Sequence, residues 1–243
     1  MNKKAVFEHY CGVLDHMLED SWNLRVFLQA PYAHDGDYDF DYGCIKFGAT
    51  RGTIIDNDYD YVVKFDVDID DTDEYVSKRE IAIYQYALEK NVSQYFTEAC
   101  FLGTYTKSFE WYSENELGSD TNATEEEFRA LIEEEKEKGL ETEWVTISIP
   151  LFGYEKADCD RYCCANTTPE EDIFLHNHPS PLSERSENVA AAFVHEYGIE
   201  NYLELSAFCA EYGVNDLHEF NIGYIDDRIV IIDFAGYHRK EDY

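Results

Sequence analysis

Basic side chains are scarce in this sequence. Nineteen lysines and arginines stand against 52 aspartates and glutamates, a formal net charge of −33. A surface that tracks nucleic-acid backbone has to replace counterions with a stripe of Lys and Arg. The nearest basic cluster here is the short Lys78-Arg79, so nucleic-acid partners are not expected. An imbalance of this size suits a very soluble protein; the sharper alternative is an acidic interaction protein that mimics nucleic-acid charge or meets a basic protein partner. Long apolar runs are also missing. No stretch approaches the roughly 20 residues of a transmembrane helix, so no membrane partner is expected. The two lysines near the start are not followed by the apolar run of a secretory leader. The odd count of seven cysteines then reads as reduced thiols in a cytoplasm rather than a disulfide framework. No repeat is found. The acidic runs at 35–41, 56–60 and 66–74 lack the glycine and terminal glutamate of an EF-hand loop.

What is present is enough for a core. The 243 residues are 44% apolar and 16% aromatic, with 20 tyrosines and 15 phenylalanines, sufficient for one large domain or two small lobes. Residues 3–20 carry Val6, Tyr10, Val13, Leu14, Met17 and Leu18 at helical spacing, which predicts a helix. The pattern switches to strands from Ile45, through Gly48-Ala49-Thr50-Arg51-Gly52, to the β-branched Tyr61-Val62-Val63-Lys64-Phe65. A helix is expected over 75–90 and strands over 98–105 and 144–152. Between those strands, 106–143 reads as a polar surface insertion with one solvated helix, its start marked by a capping box at Thr124 and Glu127. Helices are expected at 183–197 and 199–212, then a hairpin from Asn221 to Phe234 around Asp226-Asp227. The strand-rich first part and helix-rich second part predict two lobes meeting near residue 155.

The chemistry concentrates near the end. Asp216-Leu217-His218-Glu219-Phe220-Asn221 spaces a carboxylate and a carboxamide as D-x-x-x-x-N, and an apolar strand follows that ends in Asp233-Phe234-Ala235-Gly236. Phosphoryl transfer needs a carboxylate to orient the acceptor hydroxyl, and an amide and a second carboxylate to hold Mg²⁺ against phosphates. Upstream, Val62-Val63-Lys64 puts a lysine on a strand, Glu80 falls on the next helix, and Gly48 and Gly52 flank a candidate phosphate loop. Taken singly, each has a plain reading: a lysine on a half-exposed strand, an acid on a solvated helix, turn glycines, an aspartate at a strand end.

Taken in order, these motifs resemble the protein-kinase-like superfamily, and Asn215-Asp216-Leu217-His218 is similar to the loop of its choline and aminoglycoside kinase branch. The resemblance covers roughly 45–105 and 144–236. It implies an α+β, bilobal kinase-like fold: an N-terminal helical extension over 1–39, an upper lobe over 40–153 with the insertion at 106–143, and a minimal lower lobe over 154–243. It implies Asp216 as catalytic base, Lys64 paired with Glu80 on ATP phosphates, and Asn221 and Asp233 as Mg²⁺ ligands. Gly48 and Gly52 would approach the phosphates, with Phe152 and Tyr154 beside the nucleotide. The expected activity is γ-phosphoryl transfer from ATP to a hydroxyl acceptor, or, in a pseudokinase, nucleotide or protein binding alone. Val214 and Asn215 stand where the family has His and Arg, and no A-P-E segment follows Gly236, as in the reduced kinase-like proteins of bacteria and phages.

One further group carries ligand chemistry. Cys159, Cys163, Cys164, His176 and His178 offer thiolates and imidazoles to zinc. Their spacing departs from usual zinc patterns, which leaves unrelated thiols as the other reading.

Overall fold

The computed structural model describes residues 1–20, 38–40, 43–47, 51–66, 76–112, 130, 133–134, 137–139, 142–159, 167–184 and 186–235. The architecture is α+β. Six strands, β1 (Tyr38–Phe40), β2 (Gly43–Phe47), β3 (Arg51–Asp56), β4 (Tyr61–Asp66), β5 (Ala99–Tyr112) and β6 (Thr142–Glu155), form one sheet in the order β1-β2-β3-β4-β6-β5. Every neighbouring pair is antiparallel. A separate hairpin joins β7 (Ile222–Ile225) to β8 (Arg228–Ile231). Its turn holds Asp226 and Asp227 at φ 48° and 65°, the left-handed pair that a two-residue hairpin requires.

The strand period of two explains both faces of the sheet. On β4, Val63 and Phe65 turn to one face and Val62 and Lys64 to the other. Val63, Phe65, Ile45, Ile54 and Leu151 bury themselves under helix α1 (Lys3–Asp20), whose Val6, Tyr10, Val13 and Leu14 form the covering stripe. Tyr10 donates its hydroxyl to the carbonyl of Tyr61. His9 stacks on Tyr59 and meets Asp56 at 2.8 Å, which fastens α1 to the β3–β4 turn.

The opposite face packs on helix α2 (Val76–Glu89) and on the second half of the chain. Helices α3 (Pro169–Asn177), α4 (Pro181–Glu184) and α5 (Glu187–Tyr212) gather there with β7 and β8. Thr168 and Glu171 make a reciprocal capping box at the start of α3. Two expected helices merge into α5, which bends at Gly198, φ 80°. A left-handed Gly213, φ 68°, ends α5.

The strands around the insertion are longer than expected. β5 and β6 pair continuously out to Tyr112 and Thr142, because alternating threonines and aromatics continue the strand pattern into the polar stretch. The Thr124–Glu127 capping box, the acidic residues at 35–37 and all of 67–75 lie outside the described residues. Among the described residues no helix is long and apolar enough to cross a membrane.

Candidate functional site

Five elements converge on one buried charged cluster. β4 supplies Lys64, α2 supplies Glu80, β3 supplies Arg51, β6 supplies Tyr154, and the segment after β8 supplies Asp233. Glu80 sits within the buried stripe of α2, between Ser77 and Ile83 and Ala87. A carboxylate in an apolar stripe is costly unless it is fully hydrogen-bonded, and this one is. Its side chain has no exposed surface. Oε1 accepts the backbone N–H of Phe234 at 2.8 Å. Oε2 accepts the Tyr154 hydroxyl at 2.6 Å and the Arg51 guanidinium, and pairs with the Lys64 ammonium at 3.8 Å.

Arg51 spans the cluster. One nitrogen meets Glu80 and Nη2 meets Asp233 Oδ2 at 2.5 Å. Lys64 donates to the carbonyl of Ile232 at 2.9 Å and lies 4.4 Å from the centre of the Tyr154 ring. Asp233 stands at the open edge, its side chain 40% exposed against 7% for Arg51 and 12% for Lys64.

The electrostatics follow from that crowding. Burial disfavours the Arg51 cation, but Glu80 and Asp233 overcome it and raise the group well above its ordinary value. Burial also pushes the Asp233 carboxyl up, yet Arg51 and then Lys64 outweigh it and hold it well below the usual carboxylate range. Lys64 is lowered, first by burial and then by its neighbour Arg51, with Glu80 and Asp233 opposing. Tyr154 is raised well above a free phenol by burial and by Glu80. Asp233 is therefore an ionised, partly open carboxylate, and the cluster as a whole balances two cations against two anions.

The loop bearing Asp216 is held from below. Val214 and Leu217 are fully buried in the second core, so the residues between them are fixed at the surface of that core. Arg79 of α2 reaches the Gly213 carbonyl at 3.5 Å. His218 Nδ1 accepts from the Phe220 N–H at 3.2 Å, and its Nε2 lies 4.0 Å from Asp216 Oδ2. Asn221 ties this loop to the cluster. Its side-chain N–H donates to the Asp216 carbonyl at 2.6 Å, and its own carbonyl accepts the Ile232 N–H at 2.9 Å. Ile232 in turn accepts Lys64 and precedes Asp233.

Of the residues singled out in the sequence, the structure thus brings Lys64, Glu80, Tyr154 and Asp233 into contact and links Asn221 and Asp216 to them through the backbone. Gly52 lies buried inside β3, paired with Phe47 and Phe65. Phe152 is 1% exposed and packs on Phe101, so its ring is spent on the core. Gly48 and Gly236 lie outside the described residues. Arg51 was missed. The available signal was only a rare cation, between Thr50 and Gly52, in the stretch where the strand pattern begins.

Asp233 and Asn221 supply oxygen atoms of the kind Mg²⁺ takes. With the Asn221 nitrogen committed to Asp216, its carboxamide oxygen is the atom left for a cation. A carboxylate and an amide oxygen fit an ion that completes its shell with phosphates and water. For zinc the picture differs. Cys163 and Cys164 lie outside the described residues, His178 stacks on Phe174 and contacts its carbonyl, and among the described residues no group of three or more His, Cys, Asp or Glu gathers for a metal ion.

No protein-family model matches the chain, and no curated protein matches it.

Proposed function

We propose that this chain is a reduced, bilobal kinase-like domain that binds ATP with Mg²⁺ and transfers the γ-phosphoryl group to a hydroxyl acceptor. The observation that carries this reading is the meeting of a strand lysine, a helix glutamate and a post-strand aspartate from three distant parts of the chain, Lys64, Glu80 and Asp233. Lys64 would hold the α- and β-phosphates, with Glu80 fixing its ammonium. Asn221 and Asp233 would hold Mg²⁺, whose role when bound is to neutralise phosphate charge. Asp216 would accept the proton of the acceptor hydroxyl. Its loop is anchored by Val214, Leu217 and Asn221, which limits reorganisation during transfer.

A second reading, nucleotide binding without transfer, is favoured by one specific observation: Asp233 is already ion-paired with Arg51. The two readings separate cleanly. A ligand that binds only the native state raises its melting temperature, so millimolar Mg-ATP is expected to stabilise the protein and Lys64→Met to remove that effect. Asp216→Asn is expected to stop ATP turnover while leaving the thermal shift. Equal background turnover in wild type and Asp216→Asn, with ATP bound, would establish binding without transfer. No thermal shift with Mg-ATP would overturn the nucleotide reading and leave an acidic interaction surface, selected by its charge.

A further inference from the structure

We propose that Arg51 is a phosphate-binding residue of this cleft, which holds Asp233 in the closed cluster and exchanges that carboxylate for the phosphate oxygens of a nucleotide. The inference rests on the nucleotide-binding reading above and names a residue that reading does not use.

The argument starts from charge. Arg51 and Lys64 balance Glu80 and Asp233 in a nearly enclosed space. A cation taken up by Asp233 would share that carboxylate with the guanidinium nitrogen 2.5 Å from Oδ2. Two positive groups on one carboxylate oxygen repel each other. Oδ2 cannot serve Arg51 and a metal at full strength at once, so transfer of Arg51 to phosphate would free that oxygen for the cation.

The geometry shows which bond gives way. Glu80 is fully buried, holds donors from three residues and pairs with Lys64, so its bond to Arg51 is anchored. Lys64 is fixed on the Ile232 carbonyl. The Arg51–Asp233 contact lies at the exposed edge of the cluster. One guanidinium nitrogen stays on Glu80 while the other changes partner. A planar fork suits this, because it binds phosphate as readily as carboxylate and in the same two-point manner.

The test uses the whole chain and begins with the wild type. Slowly exchanging arginine side-chain signals are followed by nitrogen NMR as ATP is added in EDTA, and then as Mg²⁺ is restored. A buried arginine signal is expected to move with metal-free ATP. Arg51→Lys keeps a cation beside Glu80 but cannot bridge both carboxylates. This variant is expected to bind metal-free ATP roughly tenfold or more weakly, the size of one charge-assisted hydrogen bond, and to bind Mn²⁺ without nucleotide more tightly than wild type. Unchanged arginine signals with ATP bound, or equal ATP and Mn²⁺ affinities in the two proteins, would overturn the role of Arg51 and leave the nucleotide reading standing. If Arg51→Lys fails to fold, the wild-type signals decide alone. Failure of the wild type to bind ATP with or without metal would overturn both.

Discussion

The side-chain amide of Asn221 donates to the backbone carbonyl of Asp216 at 2.6 Å, so one residue closes the D-x-x-x-x-N loop on itself. The same residue pairs its carbonyl with the Ile232 N–H, which places the loop and the segment before Asp233 in one hydrogen-bonded unit. Asn221→Ala is expected to cost about 1 kcal/mol of stability, the worth of a neutral, partly buried hydrogen bond, as read by urea unfolding. It is also expected to remove the magnesium-dependent part of any ATP-induced thermal shift. An unchanged magnesium dependence would show that Asn221 holds the loop and nothing more.

Glu80→Ala tests the buried cluster. The change leaves Arg51 and Lys64 facing one partly open carboxylate and strands the Tyr154 hydroxyl and Phe234 N–H. Removing one partner from a buried ionic network costs about 3–5 kcal/mol. Chemical unfolding should show that loss. A loss under 1 kcal/mol would mean that the cluster is solvated in solution.

Acid should weaken the fold through Asp233. Its carboxyl is held below its ordinary value in the folded protein. The folded state thus binds that proton less readily than the unfolded chain does. The stabilisation is fully present above the unfolded carboxylate pKa of about 4 and is lost as pH falls below it. Denaturation midpoints measured from pH 6 down to pH 3 should decline more steeply for wild type than for Asp233→Asn. Parallel declines would remove Asp233 from the account.

Gly223 lies where β7 meets the chain leaving β6. A Cβ there would come within 2.7 Å of the Ala157 Cβ and 3.4 Å of the Asp158 carbonyl, while Asp158 and Tyr224 exchange two backbone hydrogen bonds at 2.9 Å. Gly223→Ala should push this strand crossing apart. Overpacking of this kind costs about 1–3 kcal/mol, or roughly 2–12 °C in a chain of this size. Differential scanning calorimetry reads it directly.

The periodic parts of the fold were legible. The stripe of Val6, Tyr10, Val13 and Leu14 gave α1, the β-branched run at 61–65 gave β4, and Asp226-Asp227 between apolar pairs gave the last hairpin, because in each case local pattern and burial agree. Lys64, Glu80 and Asp233 were legible as chemistry because each breaks an apolar pattern. Arg51 was not. Its meaning depends on Glu80 and Asp233, which are distant in sequence, and no local period reports a partner across a sheet. The outer limits of β5 and β6 were hidden because solvent-facing strand positions take polar residues as readily as loops do.

The helix that shields one face of the sheet has partners written far behind it. Val6, Tyr10, Val13 and Leu14 lie against Ile147 and Leu151 as well as Ile54 and Val63. During synthesis, a ribosome adding about 5–20 residues per second leaves that stripe without its last partners for on the order of 10 s. Over that interval α1 is a detached amphipathic segment, open to chaperones and to other nascent chains. Closure of the domain then waits on long-range contacts, which form slowly. The last partners of the first helix are thus also the last of that core to be synthesised.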